Sequence, residues 1–360
     1  MDIEIKNILE KIEENGFEAY IVGGYVRDYL LGIKSLDVDI STNALPKDVI
    51  NIFNIKKETS SYGSITIKNG KYNFDITTYR KESNYENRRP QTVEYTNNLI
   101  LDIKRRDFTI NSICMNKEGT IFDYLNGQKD LENHLIKVIG NTDEKLTEDP
   151  LRILRAIRFS IILGFKLDDE IINFINLHKD LIKNLSYTRK KEELDKIFSS
   201  KNVLKGLKFL KELDLLSALE INYDKIIHSS DLLAIWSQIS FSPNYPFTKD
   251  NLKVINKIRE ITKQGKIDCL TLYKEGLYIC QVAASVLKIN KQEINNMYAN
   301  MQIKSRKDIC INNIDIINIL NIKPSKKLKD VYNDIELNII TNSLKNDYEE
   351  IKKYLLQKWK

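Results

Sequence analysis

The sequence predicts an α+β fold, with β-strands confined to an amino-terminal domain and an all-helical remainder. The first observation is length, because 360 residues exceed what one hydrophobic core usually serves. The second is hydrophobic periodicity, which mixes strand and helix periods up to about Val138. The third is that strand signals nearly vanish after Asn141. We therefore expect more than one domain, with the sheet in the first.

The amino-terminal domain opens with a predicted helix. Apolar side chains recur at helical spacing over Ile3–Glu14, and Gly16 ends the pattern. Short runs typical of strands follow, with helical stretches between several of them. These runs are Phe17–Val22, Leu36–Ser41, Ser64–Lys68, Tyr72–Tyr79 and Ile121–Tyr124.

The remainder of the sequence predicts amphipathic helices separated by short breaks. Phe241–Phe247 contains two of the six prolines and predicts a break between helical layers. The clearest helices are Pro150–Leu163, Asp169–Lys179, Thr188–Ser199 and Val203–Leu210.

Composition excludes several classes of protein. Hydrophobic residues make up 42% of the chain and charged residues 29%, which excludes disorder as the main state. No run approaches the roughly 18 apolar residues that cross a bilayer. The acidic start Met1–Glu4 lacks a basic, apolar signal region. We therefore expect neither a membrane-spanning nor a secreted protein.

The cysteines, the histidines and the net charge limit which kinds of site and partner the sequence predicts. The four cysteines are far apart and form no CxxC pair, so we expect reduced, mostly buried thiols in a cytoplasm. The three histidines lack partners at metal-ligand spacing, which argues against zinc hydrolysis and His-Asp phosphohydrolase chemistry. The formal charge of +6, from 56 basic and 50 acidic residues, permits an anionic partner without proving one.

The strongest local signal is GGYVRDYLLG at Gly23–Gly32, directly after a predicted strand. A strand that ends in two glycines and enters a helix brings bare backbone N–H groups to a helix N-terminus, where the macrodipole favours phosphate. A Gly-Gly pair alone is most often a turn. In this context, Gly23 and Gly24 predict a phosphate cradle.

Paired carboxylates follow the glycines. Asp37 and Asp39 lie at i and i+2 on a predicted strand, so both project to one face and can hold hard cations. Their mutual repulsion is costly unless a cation is present. Asp75, in a further strand, could supply a third carboxylate. A lone Asp-x-Asp is usually a solvated loop, but three acids with a phosphate cradle describe a two-metal phosphoryl-transfer site.

GGYVRD at 23–28 with Asp37-x-Asp39 resembles the opening motif of the class II tRNA nucleotidyltransferase and bacterial poly(A) polymerase family. That family belongs to the polymerase β nucleotidyltransferase superfamily. Four more segments occur in the family's order, and the resemblance covers about residues 16–200. They are Arg80–Pro90, similar to the flexible loop; Arg105–Asn111 (RRDFTIN), similar to the ribose-reading motif; Glu148–Arg152, similar to the nucleobase-reading motif; and Ser186–Arg189 with Glu193, similar to the helix that props it.

The resemblance implies a nucleotidyltransferase head with a small mixed β-sheet, followed by an all-helical neck, body and tail. It places the catalytic head at residues 1–140 and the nucleobase-reading neck at 141–200. The body then covers 201–290 and a tRNA-binding tail covers 291–360. Beyond about residue 200 no motif matches, so this part rests on analogy with the family.

The resemblance also implies roles for single residues. Asp37, Asp39 and Asp75 would be catalytic, with Asp37 and Asp39 as ligands of Mg²⁺. Arg106 and Asp107 would select ribose over deoxyribose. The nucleotide-binding residues expected in all are Gly23, Gly24, Arg27, Arg106, Asp107, Asn111, Asp149, Arg152, Arg155 and Arg158.

The chemistry of Asp149 and Arg152 shows how side chains can choose CTP and ATP without a nucleic-acid template. Cytosine and adenine both present an amino donor beside a ring acceptor, which suits a carboxylate beside a guanidinium three residues apart on one helix face. Uracil and guanine carry the opposite pattern, and each mismatch would cost on the order of 1–3 kcal/mol. Alternatively, Pro150 suits an early helix position, and Asp149 is then an N-cap with no nucleotide role.

Arg155 and Arg158 continue the same spacing and predict a basic stripe that could reach triphosphate oxygens. The alternative is that these arginines simply pair with acidic groups. Thr188 departs from the family, which usually has an acid just before the arginine of the propping helix, so we expect looser support for Arg152. Ser83-Asn84 also replaces the acid-glycine pair more often seen in the loop.

We therefore expect a Mg²⁺-dependent enzyme that adds C, C and A to the 3′ end of tRNA from CTP and ATP, without a membrane or an evident obligate protein partner. A CC-only enzyme or a poly(A) polymerase of the same family is the nearest alternative. The retained Arg80–Pro90 loop argues against an enzyme that adds only A. A non-catalytic RNA-binding protein on the same scaffold is disfavoured, because the acids, glycines and base-reading pair all remain.

Overall fold

The computed structural model describes residues 1–55, 64–86, 89–324 and 326–360, and for 82–86 and 89–92 it describes the backbone alone. The chain divides into two compact units, Met1–Glu220 and Ile221–Lys360. The first unit carries the largest sheet and all the site residues expected above. The boundaries of head, neck, body and tail stay predictions.

The first unit alternates strands and helices and then becomes mainly helical, with 3₁₀ turns at Thr109–Asn111 and Lys179–Asn184. Its strands are β1 (Ala19–Val22), β2 (Asp37–Thr42), β3 (Ser64–Asn69), β4 (Tyr72–Thr78), β5 (Arg80–Glu86), β6 (Arg89–Tyr95), β7 (Cys114–Met115), β8 (Ile121–Phe122), β9 (Leu135–Ile136) and β10 (Lys166–Leu167). Its helices are α1 (Ile3–Glu13), α2 (Gly24–Leu30), α3 (Pro46–Phe53), α4 (Leu99–Lys104), α5 (Gly127–Glu132), α6 (Thr142–Glu148), α7 (Leu151–Leu163), α8 (Asp169–His178), α9 (Tyr187–Phe198), α10 (Val203–Glu212) and α11 (Leu216–Leu219).

The main sheet has the strand order β3-β4-β2-β1-β7-β8 and is mixed, because β2 and β4 are parallel while the other pairs are antiparallel. Its register places Asp39 beside Asp75 across β2 and β4. Side chains alternate between faces along each strand. Val38 and Phe74 are buried on one face, whereas Asp37, Asp39 and Asp75 are exposed on the other. The sheet thus has one core face and one acidic face.

The second unit is helical apart from a two-residue pairing of β11 (Ile221–Asn222) with β12 (Ser240–Phe241). Its described residues include two clusters of buried apolar side chains, one containing Ile335 and Ile339 and the other containing Ala283 and Ala284. Its helices are α12 (Leu232–Ser237), α13 (Lys249–Gln264), α14 (Cys269–Leu287), α15 (Lys291–Ala299), α16 (Asn313–Leu320), α17 (Lys326–Ile340) and α18 (Tyr348–Lys358), with a 3₁₀ turn at Arg306–Asp308.

The α+β prediction with a small mixed sheet is confirmed, and two details differ from expectation. The segment Arg80–Pro90, similar to a flexible loop, begins an antiparallel hairpin of β5 and β6 in which Arg80 pairs with Tyr95. Within that segment, Asn87 and Arg88 lie outside the described residues. The helical part also contains the short strands β10, β11 and β12, each only two residues long. No helix in the described ranges is long and apolar enough to cross a membrane.

Candidate active site

The glycine pair lies between β1 and α2, as its sequence position predicts. Gly23 precedes the helix with φ +74° and ψ −139°, a backbone conformation that L side chains rarely adopt. A Cβ atom added to Gly23 would lie 2.8 Å from Oδ2 of Asp39. The glycine therefore serves two needs, the turn into α2 and the close approach of the acidic strand to the backbone.

The three aspartates differ in their hydrogen bonds. Asn73 donates to Oδ1 of Asp37 at 2.8 Å. Ser64 and Thr66 both donate to Oδ1 of Asp75, at 2.9 and 2.8 Å. These bonds orient Asp37 and Asp75 on the exposed face of the sheet, next to Asp39 in the register.

The environment of Asp39 opposes its negative charge. Solvent reaches this side chain, but surrounding protein atoms remove part of its hydration, and this burial is the main reason that its pKa is raised. Asp75 and Asp37 raise the pKa further by like-charge repulsion, and Arg106 partly offsets both effects. A bound cation would relieve this repulsion.

An all-oxygen set of donors fits a hard divalent cation better than a soft one. Among the described residues, no group of three or more His, Cys, Asp or Glu side chains is close enough together to hold a metal ion. Asp37, Asp39 and Asp75 therefore share one face without forming a closed coordination shell. The donor set fits Mg²⁺, and the ligand roles of Asp37 and Asp39 stay predictions.

Arg106 connects the glycine pair to the interior of the sheet. Its Nη2 donates to Ser41 Oγ at 2.8 Å and lies 3.4 Å from Oδ2 of Asp102. Its Nη1 lies 3.6 Å from the Cβ position of Gly23. The guanidinium of Arg106 therefore lies between the buried Asp102 and Gly23, the first glycine of the predicted phosphate cradle.

Asp107 is a partly buried acceptor that four N–H donors satisfy. Its own neighbour Phe108 and Asn111 Nδ2 donate to Oδ1, at 2.8 and 3.2 Å. Arg155 donates to Oδ2 through Nε at 2.8 Å and through Nη2 at 2.5 Å. Burial alone would raise the pKa of Asp107, but Arg155 and these hydrogen bonds lower it to about 2. A ribose hydroxyl would have to replace one of the four donors.

Arg27 extends this network to α2. Its Nη1 donates to Oδ1 of Asn111 at 2.8 Å, and its Nε and Nη2 donate to Asp28 at 2.8 and 2.7 Å. Contacts thus run from Arg27 through Asn111 and Asp107 to Arg155. They join four of the expected nucleotide-binding residues, from α2 to α7, in one connected group.

The sequence predicted that Asp149 and Arg152 lie on one face of a single helix. In the structure, only Arg152 lies in a helix. Asp149 follows α6 in an extended conformation, because α7 begins only at Leu151. Its Oδ1 accepts from Leu151 N–H at 3.1 Å, which is the N-terminal capping contact left open as an alternative. Arg152 is buried, and it donates to the carbonyl oxygens of Lys145 at 2.9 Å and Arg105 at 3.3 Å. The Arg105 contact links Arg152 to the residue before Arg106.

The propping helix α9 contacts a different arginine from the one expected. Glu193 lies 3.1 Å from Nε of the buried Arg158, and Arg189 pairs instead with Glu192 on the surface. Arg158 also stacks on Phe159, with its guanidinium carbon 4.3 Å from the ring centroid. Arg158 is therefore paired with an acid, as its alternative interpretation held, and a direct contact with triphosphate stays a prediction.

Comparisons with known proteins agree on one family. Three family models match successive parts of the chain: "Poly A polymerase head domain" at residues 19–137, "Probable RNA and SrmB- binding site of polymerase A" at 164–223, and "tRNA nucleotidyltransferase domain 2 putative" at 244–355. A CCA-adding enzyme of Ligilactobacillus salivarius (strain UCC118) is 33% identical to this chain, over 95% of the chain and 93% of that protein. The chain belongs to the class II tRNA nucleotidyltransferase family.

A further relative supports this family membership, and a solved structure shows the same fold. A CCA-adding enzyme of Staphylococcus aureus (strain Newman) is 32% identical, over 98% of this chain and 97% of that protein. The crystal structure of the Bacillus stearothermophilus CCA-adding enzyme in complex with CTP superposes with a TM-score of 0.84 at 23% identity, and covers 99% of this chain and 96% of that one. That structure shows that the fold is shared along the whole chain.

Three residues that contact predicted site residues of this tRNA nucleotidyltransferase were not predicted from the family motifs. Asp102 and Ser41 hold Arg106, and the ring of Phe159 lies 5.0 Å from the guanidinium carbon of Arg27 as well as next to Arg158. The spacing of Asp102, three and four residues before Arg105 and Arg106, is a helical ion-pair signal that could have identified it. No local pattern in the sequence indicates the roles of Ser41 or Phe159.

Proposed function

We propose that this chain adds C, C and A to the 3′ end of tRNA, using CTP and ATP and releasing pyrophosphate, without a nucleic-acid template. The observation that carries the proposal is the close approach of Asp39 to Gly23, where Oδ2 lies 2.8 Å from the Cβ position. This close approach supports the proposal, because it brings an acidic strand beside the backbone that we propose binds phosphate. The similarity to a CCA-adding enzyme over 95% of the chain supports CCA as the sequence that is added.

The proposed reaction is a displacement at phosphorus. The 3′-hydroxyl oxygen of the tRNA forms a bond to the α-phosphorus of the nucleotide, and the bond from that phosphorus to the pyrophosphate oxygen breaks. The proton of the attacking hydroxyl is released to solvent. Asp37 and Asp39 would hold Mg²⁺, with Asp75 beside them. When bound, the ions neutralise phosphate charge and increase the acidity of the attacking hydroxyl.

The chain's own contribution is positioning and electrostatics. The N–H groups after Gly23 and the guanidinium of Arg106 offer donors to the triphosphate. The Arg27–Asn111–Asp107–Arg155 group fixes the wall next to the sugar. Because Asp107 is already satisfied, we infer that it selects ribose chiefly by holding Asn111 and Arg155 in place.

We propose that Asp149 and Arg152 read the nucleobase, although not from one helical face. Carbonyl contacts to Lys145 and Arg105 fix the plane of the Arg152 guanidinium. Asp149 uses Oδ1 to cap α7, which holds its carboxylate at the start of that helix. We propose that this carboxylate and the oriented guanidinium together recognise an amino group next to a ring acceptor.

The product ladder tests this function. The purified protein is incubated with tRNA that ends before CCA, with CTP alone, ATP alone and both together. We expect two added nucleotides with CTP alone and three with both, because the site accepts both bases but adds them in order. Addition that stops after two with both nucleotides would identify a CC-only enzyme.

A poly(A) polymerase is the second candidate, because the family model that matches residues 19–137 is named for a poly(A) polymerase head domain. Long A-tails with ATP alone would favour it and contradict CCA addition. The proposed partners are tRNA, CTP and ATP. A cytoplasmic location and the lack of an obligate protein partner stay predictions.

A further inference from the structure

Asp102 is a buried carboxylate that the proposed reaction does not use directly. It lies on α4 and is 0% exposed to solvent. Its Oδ1 accepts from Arg105 Nε at 2.8 Å and from the backbone N–H of Arg80 at 3.3 Å. Its Oδ2 accepts from Ser41 Oγ at 3.0 Å and lies 3.4 Å from Arg106 Nη2. Donors on both oxygens hold such a carboxylate in one orientation.

These contacts fix one end of Arg106. Its Nη2 is held by both Ser41 and Asp102, and the same guanidinium reaches Gly23 with Nη1, 3.6 Å from the Cβ position. Arg106 is also the largest favourable charge acting on Asp39. Because a guanidinium is planar and rigid, anchoring Nη2 determines where Nη1 points. Without the anchor, the long side chain would regain rotamer freedom.

Asp102 also connects three separate parts of the first unit. Ser41 lies on β2, two residues after Asp39. Arg80 begins β5, the first strand of the hairpin similar to the family's flexible loop. Arg105 and Arg106 directly follow α4. One carboxylate thus bridges the acidic strand, the base of the hairpin and the arginine beside the phosphate cradle.

We propose that Asp102 is a positioning residue that aims Arg106 at the incoming ribonucleoside triphosphate. The inference rests on the proposed function, because it assumes that a triphosphate binds at Gly23. A purely structural role would instead make Asp102 the counter-ion of Arg105, with no effect on Arg106. The two roles differ in whether Asp102 and Arg106 act together on nucleotide binding.

A double-mutant cycle on CTP binding tests this role. The dissociation constant for CTP is measured with Mg²⁺ by calorimetry for the full chain and for Asp102→Asn, Arg106→Ala and the double variant. We expect Asp102→Asn to weaken binding about 5-fold to 20-fold, as loss of a charged hydrogen-bond partner does. In the Arg106→Ala background, we expect Asp102→Asn to have no further effect.

Asp123→Asn is the matched control, because Asp123 accepts backbone N–H bonds from Gly127 and Gln128 at 2.9 Å and belongs to the same unit. We expect its CTP affinity to match that of the unaltered chain. If Asp102→Asn does not fold, Ser41→Ala replaces it in the cycle, since Ser41 holds the same Nη2 atom.

Two results would overturn the proposal. One is CTP binding by Asp102→Asn within twofold of the unaltered chain. The other is a loss of CTP affinity in the double variant that equals the product of the two single-variant losses. This result would show that Asp102 and Arg106 act independently. Failure of the unaltered chain to bind CTP or extend tRNA is a separate result, because it would contradict the proposed function itself.

Discussion

At the scale of single residues, we expect Asp39 to be the most sensitive position of the candidate site. Its carboxylate lies next to Gly23 and has a raised pKa because of burial and of Asp75 and Asp37. We expect Asp39→Ala to lower the rate of nucleotide addition by about 1,000-fold or more, since loss of a metal ligand removes several kcal/mol of transition-state stabilisation. The rate is measured with CTP and tRNA lacking CCA.

Binding of tRNA separates this effect from unfolding. In a gel-shift titration, Asp39→Ala should bind tRNA nearly as well as the unaltered chain, because a single carboxylate adds little to contacts with the RNA backbone. Nucleotide addition that persists in this variant would contradict the assignment of Asp39. Retained binding with no addition by the unaltered chain would instead favour the non-catalytic RNA-binding protein.

The surroundings of Asp107 predict how the stability of the fold depends on pH. Its pKa is lowered from 3.8 to about 2, chiefly because Arg155 overcomes the effect of burial. Because its pKa is lowered in the folded state, ionised Asp107 stabilises the fold above about pH 4. This contribution to stability is lost as the pH falls towards 2. We expect Asp107→Asn to lower the free energy of unfolding by about 2 kcal/mol at pH 6, and by less below pH 4.

Urea unfolding between pH 3 and pH 6 measures this difference. The two curves of unfolding free energy against pH should converge below pH 4, since the unaltered chain alone loses the contribution of Asp107. A gap that stays constant over this range would show that the Asp107 ion pair does not determine the pH dependence.

Sequence motifs named the charged residues of the candidate site but did not predict how these residues pair. Arg155 binds Asp107, and Arg158 lies beside Glu193, although both partners are far away in the sequence. Such pairing depends on how α7 packs against α9 and against the segment after α4, which local spacing does not contain. Asp102 is the exception, because its arginines lie within one helical turn.

At the scale of elements, the proposed reading of the nucleobase depends on the junction of α6 and α7. Asp149 caps α7 through Leu151 N–H while Arg152 is held by two carbonyl oxygens. We expect Asp149→Ala to reduce the preference for CTP over UTP by about 10-fold, because an aspartate facing the uracil carbonyl no longer penalises UTP. Single-nucleotide incorporation with each triphosphate measures the ratio.

Thermal unfolding of the same variant tests the alternative interpretation. Loss of an N-cap should lower stability by about 1 kcal/mol, whichever nucleotide is present. A stability loss with an unchanged CTP to UTP ratio would make Asp149 a cap alone and contradict its role in selection.

The hairpin shows a limit of sequence patterns at this scale. Residues 80–95 read RKESNYENRRPQTVEY, which contains no period-two alternation of apolar side chains. Hydrophobic periodicity predicts strands only where one face is buried. β5 and β6 are joined through backbone pairing, so the family resemblance predicted a loop where the chain forms two strands. By contrast, β2 and β4, with a buried face, were predicted to within about one residue at each end.

At the scale of the whole molecule, cysteine labelling can follow the two units separately. Cys114 is buried in the first unit, where burial raises its pKa to about 12, and Cys280 is buried in the second, where burial raises its pKa to about 11. Cys310 is exposed. At pH 8 we expect native protein to react first at Cys310, because exposure controls access to the thiol.

In increasing urea, Cys114 and Cys280 should become reactive at different midpoints, because each unit has apolar clusters of its own. Pulsed alkylation with peptide mass analysis measures both midpoints. Coincident midpoints would show that the units unfold as one cooperative block. Replacement of Cys310 by Ser removes the fast reaction and leaves both midpoints unchanged.

The parallel pairing of β2 with β4 has a consequence for how this protein can tolerate insertions. Asp39 lies beside Asp75 only while Val38 faces Phe74 and Ile40 faces Ile76. A slip of one residue would turn Asp75 towards the core and bring Phe74 to the solvent side. An insertion or deletion of an odd number of residues inside either strand would therefore separate Asp39 from Asp75 and inactivate the enzyme.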